Sequence, residues 1–461
     1  MRNDPWSITF GDYEWIVDRR TLTFRLTETK TGTLWADGLS LGWIEIEHRE
    51  TGGLSRHDFG SLRAVSVSEK AGPQGKRILF GLDIEGIPVD LYLICSLREI
   101  QLQVESNRDS RTHRVCGFGL VPGLCSVPDA PSAALVLPSG AGALIAAREA
   151  PETPLPLPIW DCRRGINMPF VGAVRSSAAL RRSTALALLT DSAYGSFVLQ
   201  RAGDGAVLNP EYARDPERRR LDLRLVPLPD GDAPAIARLY REKLIGENAH
   251  VTLRKKMRQK PGLAQYSERP NTGEPDSVRM ETRDLTSGDP GESRWEVMDR
   301  LLADAGRASA TGAVVSSVGG GDWANLAADQ VRLSSGPFPR RVPLYDIVYR
   351  DAVLLRTDGD IPDRIADTVL FLRPPDTETP EPVAALYPRH FAALLLEHHR
   401  LTPDGRVEET LFSDRTRVMV NRRDTEPYEQ GDVLLPPRGF LILTTDGEIR
   451  GTLPRFSSER N

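Results

Sequence analysis

Long apolar stretches are missing from this chain. No run of about 18 apolar residues occurs among its 461, which excludes a predicted membrane-spanning helix. The opening MRNDPWSITF lacks the charged start and apolar stretch of a secretion signal, so a soluble, cytoplasmic protein is the expectation. Cysteine is scarce. Cys95, Cys116, Cys125 and Cys162 form no C-x-x-C pair and have no zinc spacing, which points to buried or incidental thiols and to no metal site or structural disulfide. Neither sign of charge dominates: 59 Lys and Arg stand against 64 Asp and Glu, a net charge of −5. That balance, with no long Lys/Arg run, argues against nucleic acid and membrane surfaces as partners and suits neutral polar ligands. Catalytic signatures are absent too: no G-x-x-x-x-G-K-[ST], no H-E-x-x-H and no G-x-S-x-G. Gly117, Gly119 and Gly123 have the wrong spacing for a dinucleotide loop, and no cofactor is expected.

What is present is ordinary globular material, 40% hydrophobic and 27% charged, enough for two or three domains. Period-two alternation fills the first 110 residues, as in Leu22, Phe24 and Leu26, or Val89, Leu91 and Leu93. Such runs are half-buried antiparallel strands. Turn signals at Thr31-Gly32, Asp37-Gly38, Gly52-Gly53 and Glu85-Gly86 give the spacing of a sandwich. Further strands over 134–138, 143–145, 185–189 and 221–225 enlarge it, while five prolines within 151–170 predict a long surface loop. Ile236, Leu239, Tyr240, Lys243 and Leu244 then follow helical spacing, with Asp232 or Pro234 near the start and Gly246 just after the end. Tyr266 to Glu292, poor in aliphatic residues, reads as a linker. A short helix through Trp295, Met298, Leu301 and Leu302, a strand at 313–315 and the turn Gly319-Gly320-Gly321 give one α/β unit. The last 120 residues return to β character, with a strand predicted from Val342 to Leu355 and one helix carrying Phe391, Leu394, Leu395 and His398.

Candidate chemistry concentrates in two places. The strand ending at three glycines presents Asp322 and Trp323; a carboxylate can bond vicinal hydroxyls and an indole can stack on a pyranose, although the stronger reading has Trp323 as a packing anchor and Asp322 as the N-cap of a helix running through Ala328. Tyr345, Asp346, Tyr349 and Asp351 lie on the predicted strand. There the two acids, five residues apart, point to opposite faces and make a poor acid and base pair. His390, His398 and His399 read as a satisfied stripe with exposed neighbours rather than as metal ligands.

Several segments together resemble glycoside hydrolases related to the endo- and exo-acting α-N-acetylgalactosaminidases. They are residues 137–145, Tyr240-Arg241 with Thr252 to Lys256, Ser317 to Trp323, Pro343 to Tyr345 with Val348-Tyr349, Thr410 to Asp414, Val418 to Asn421 and Pro436 to Phe440. The resemblance implies a mainly β protein: a galactose-mutarotase-like supersandwich over 1–261, a linker over 262–292, an α/β remnant of a barrel over 293–336 and a smaller C-terminal β-sandwich over 337–461. Such relatives place an acid where this chain has Val318 and a histidine where it has Arg350. Their nucleophile and acid lie on barrel strands expected between Pro261 and Gly312. Only 50 residues, 262–311, are available there, whereas a complete barrel takes roughly 250. The resemblance therefore implies a carbohydrate-recognition protein without a complete catalytic site. Asp322, Trp323, Tyr345, Asp346, Tyr349 and Asp351 are its candidate contacts and a carbohydrate or glycoconjugate its partner. An active hydrolase using the residual carboxylates or a partner chain is the alternative.

Overall fold

The structure, a computed structural model, describes residues 5–72, 75–106, 109–161, 165–177, 182–215, 220–268, 277–282, 292–333, 338, 341–357 and 361–454. They fall into two compact units, one of Met1–Leu137, Leu144–Ile159 and Arg164–Ile236, the other of Pro138–Ala143, Trp160–Arg163 and Ala237–Asn461.

The first unit is built of antiparallel sheets, the large ones of nine and seven strands and a smaller one of four. Alternation explains them. Strand Ile87–Cys95 buries every second residue, and the apolar half of its side chains meets the core while the other half faces out. The turns at Gly32, Gly52 and Gly86 have positive φ, as their sequence signals require. Asp37-Gly38 does not separate two strands. It lies inside strand Leu34–Ser40, where the pairing with Thr23–Glu28 shifts register, so the glycine serves a bulge. The proline-rich segment contributes the edge strand Leu155–Pro158, paired with Gly195–Ala202. An edge is where proline is tolerated. Cys95, Cys116 and Cys125 carry free thiols, and Cys162 lies outside the described residues.

The second unit holds a parallel sheet in the order Ser277–Glu281, Val314–Gly319, Gln330–Leu333, Leu354–Thr357. The segment read as linker thus supplies helix Pro261–Glu268 and a strand. Only Met280 of that strand is buried, so no alternation marked it; residues 269–276 and 283–291 of the expected linker lie outside the described ones. Helix Arg294–Ala310 starts in a capping box: Ser293 Oγ accepts from Glu296 N, and the Glu296 carboxylate accepts from Ser293 N at 2.6 Å. Ser293→Ala should cost about 1 kcal/mol, read as a shift of the urea midpoint, while Ser293→Thr leaves it nearly unchanged.

Two elements differ from expectation. Residues 344–349 form helix Leu344–Tyr349 rather than a strand, and all six side chains are buried. A stretch buried on every side carries no period, so β-type residues alone misled. The predicted helix through Phe391 and His398 is also absent. Helix Glu381–His390 stops at His390, and Leu395–Arg400 is a strand paired with Val407–Phe412; the apparent helical spacing joined the end of one element to the start of the next. This strand opens a five-stranded antiparallel sheet, continued by Arg417–Asn421, Gly439–Thr444 and Gly447–Thr452. Val407, Met419 and Leu441 pack with Tyr428 and Leu435 of a separate hairpin. The fold is mainly β, with an α/β portion and a smaller C-terminal β-sandwich, as the sequence suggested. No helix among the described residues is long and apolar enough to cross a membrane.

Candidate functional site

Strand Val314–Gly319 ends in Gly319 and Gly320, with φ of 112° and 85°. These left-handed angles favour glycine and turn the chain into the short 3-10 helix Asp322–Leu326. Gly321, not Asp322, is its N-cap. The helix stops at Leu326 and does not run through Ala328. Freed from capping, the Asp322 carboxylate points into the unit and accepts from Trp160 Nε1 at 2.6 Å, Tyr240 Oη at 2.6 Å and Tyr349 Oη at 2.9 Å. Burial disfavours its charge and lifts its pKa to about 6 against the pull of those three donors.

Tyr349 connects this cluster to the next. Its ring stacks on His250 at 5.9 Å and lies 5.1 Å from Tyr345, whose hydroxyl bonds the Asn325 amide. His250 Nε2 reaches Asp351 Oδ1 at 3.0 Å, and Arg241 grips both oxygens of the same carboxylate at 2.6 and 2.9 Å. Burial would raise the Asp351 pKa, but the hydrogen bonds from His250 and Arg241 overcome it and hold the group well below the usual carboxylate range. Asp346 goes elsewhere. It forms a two-pronged pair with Arg373, Nε to Oδ1 at 2.9 Å and Nη2 to Oδ2 at 2.6 Å, with both side chains at most 3% exposed.

The structure therefore brings Asp322, Tyr345, Tyr349 and Asp351 into one connected cluster and leaves Asp346 in a separate ion network. Of the six sequence candidates, Trp323 is the one with a polar atom, Nε1, that is buried and lacks a partner among the described residues. Gly321 is what lets that indole lie close: an added Cβ would sit 2.8 Å from Trp323 Nε1. The three histidines of the C-terminal cluster are each bonded to a carboxylate, His390 to Asp414, His398 to Glu408 and His399 to Glu397. Arg350 donates to the carbonyls of Ala393, Phe371, Leu372 and His390 and is a packing staple. Lys256 does the same, its buried ammonium donating to the carbonyls of Asn325, Ala328 and Ala352.

Sequence reasoning missed Trp160, Tyr240, Arg241 and His250. Tyr240 sat in a helical apolar stripe and Trp160 in a proline-rich loop, and neither spacing advertises a partner 82 or 162 residues away.

No family model matches the chain, and no curated protein does. Solved structures do. The α-N-acetylgalactosaminidase NagBb of Bifidobacterium bifidum, in complex with GalNAc, is similar with a TM-score of 0.71 and 13% identity, over 90% of this chain and 98% of that one. Its ligand-free form gives 0.69 with the same identity and coverage. A GH36 α-galactosidase, AgaA of Geobacillus stearothermophilus, reaches 0.48 at 10% identity, over 99% of this chain and 98% of that one. The fold is glycoside-hydrolase-related.

Proposed function

We propose that this chain recognises carbohydrate without hydrolysing it, and that a GalNAc-type glycan is the first ligand to test. The observation that carries the reading is the commitment of all three candidate acids. Hydrolysis needs one carboxyl to protonate the leaving oxygen and another to attack or to activate water. Here Asp346 is neutralised by Arg373, Asp351 is neutralised by Arg241 and also bonded by His250, and Asp322 is enclosed by three donors. The parallel sheet supports the same reading, since four strands are present among the described residues where a closed barrel has eight. In such sheets ligands gather at the C-terminal strand ends. Trp323 stands there, and we assign it the contact through its indole N–H.

One observation favours the alternative of a working hydrolase. A carboxylic acid with its pKa at about 6 is suited to protonate a leaving group, and Asp322 has that property.

The two readings separate in one experiment. The purified chain is incubated with α- and β-linked nitrophenyl hexosides and N-acetylhexosaminides, and GalNAc binding is followed by calorimetry. Expected are no nitrophenol release, measurable binding, and a several-fold loss of affinity in Trp323→Phe. Release that disappears in Asp322→Asn would establish the alternative.

A further inference from the structure

One face of the parallel sheet is unusual in its chemistry. Parallel sheets normally have aliphatic faces covered on both sides. On this one the cross-strand rows read Arg279, Ser316, Gln330 and then Glu281, Val318, Arg332, Arg356. The residues alternate out of apolar partners: Arg279 sits between Val278 and Met280, and Arg332 between Val331 and Leu333. Arg279 and Arg332 are exposed. Apart from Glu281, which pairs with Arg279 at 3.7 Å, these side chains line a cleft of about 130 Å³ together with Ser277, Val331 and Leu354. Every polar side chain on its wall can donate a hydrogen bond, and no carboxylate lines it.

A second observation points to a ligand. Gln330 is 7% exposed, lines the cleft, and its Nε2 has no partner among the described residues. A buried amide without an acceptor costs about 1–3 kcal/mol. Arg332 also stands directly opposite Arg356 on the neighbouring strand, where like charges repel. Both arginines make other interactions within the chain, but a guanidinium has five N–H donors and keeps capacity for an anion. An oxyanion between them would satisfy the amide and offset the repulsion.

We propose that this cleft binds a compact oxyanion, the sulfate or carboxylate of an acidic sugar. Its size fits the assignment: at roughly 30 Å³ per water it holds a few water-sized groups, far short of the 300 Å³ or more of ordinary ligand pockets. One charged substituent enters, and the sugar ring stays outside. The carrier rests on the carbohydrate reading above; the oxyanion contact does not.

The test uses the full chain at low salt and four probes in calorimetry: sodium sulfate, GalNAc 6-sulfate, galacturonate and GalNAc. Expected is binding of one or both acidic sugars at least tenfold tighter than GalNAc, weakened at least tenfold by Gln330→Met and by Arg332→Gln. Gln330→Met should also keep or raise the Tm, because it removes an unpartnered amide and leaves the packing. Acidic sugars no tighter than GalNAc would overturn the cleft while leaving the carbohydrate reading intact if GalNAc binds. Tighter binding that neither variant weakens would overturn it as well. Inorganic sulfate as tight as GalNAc 6-sulfate, with GalNAc silent, would keep the cleft and remove the glycan.

Discussion

Arg373→Met should lower the unfolding free energy by about 3–5 kcal/mol, because it strands the Asp346 carboxylate in the interior. The pair is almost wholly enclosed, 3% and 1% exposed, and the two parallel N–H to O contacts leave no room for water to replace the guanidinium. Arg373 also faces Asp367 at 3.6 Å and Thr357 at 3.2 Å. Asp367 in turn accepts from Arg422 at 2.6 Å, Arg422 bonds Glu408 at 2.6 Å, and Glu408 meets His398 at 3.2 Å. This chain of alternating charge runs from helix Leu344–Tyr349 through helix Ile361–Leu370 to strands Val407–Phe412 and Leu395–Arg400. Burial would raise the Glu408 pKa, yet Arg422 and His398 bring it down to about 2, so Glu408 stays ionised at neutral pH. A second substitution decides whether the pair or the chain matters. Asp346→Leu with Arg373→Met removes both charges and fills the space, and should recover most of the loss in urea unfolding. A double variant as unstable as the single one would show that Asp367 and Arg422, not Asp346, depend on Arg373.

The same network bears on function. Asp346 carries the charge that invites a catalytic assignment, but its two oxygens are saturated by one guanidinium. An acid in that state reaches no substrate without first breaking a buried ion pair. Asp351 is held in the same way by Arg241. Arginine, always charged and geometrically matched to a carboxylate, turns both acids into cross-links between elements. Asp322 differs, because its partners are neutral donors.

The sequence carried the fold where a face was half buried. Ile87–Cys95 alternates cleanly and is a strand; Asp232 accepts from Ala235 N at the head of the predicted helix Ala233–Gly246. It failed where burial was complete or nearly absent. Helix Leu344–Tyr349 has no polar face to set a period, and strand Ser277–Glu281 has one buried residue out of five. The candidate site was legible as residue types only. Asp322 and Tyr349 could be singled out, but Trp160, Tyr240 and His250 reach them through long-range contacts that no local pattern encodes. The arginine face was different: Val278-Arg279-Met280 and Val331-Arg332-Leu333 show a charge interrupting an apolar run, a signal present in the sequence.

Asp322→Asn should abolish the pH dependence that the buried carboxyl imposes. The folded state raises this pKa from 3.8 to about 6, so between those values the folded chain holds a proton that the unfolded chain has released. The stability contributed by Asp322 is then fully present below about pH 4 and is lost as pH rises through 6. A rise of about two units corresponds to ~3 kcal/mol between the two limits. Asp351 and Glu408, whose pKa values are depressed, act in the opposite direction below about pH 5, but they are common to both proteins and cancel in the difference between them. The measurement is the unfolding free energy of wild type minus that of Asp322→Asn at steps from pH 4 to 7.5. Asn keeps the shape and cannot ionise, so the difference should fall by up to ~3 kcal/mol over that range. Curves that run parallel would mean that the hydrogen bonds from Trp160, Tyr240 and Tyr349 fully offset burial and that Asp322 ionises at an ordinary pH. In that case the one property favouring a general acid disappears, and the chain retains no carboxyl suited to protonate a leaving group among Asp322, Asp346 and Asp351.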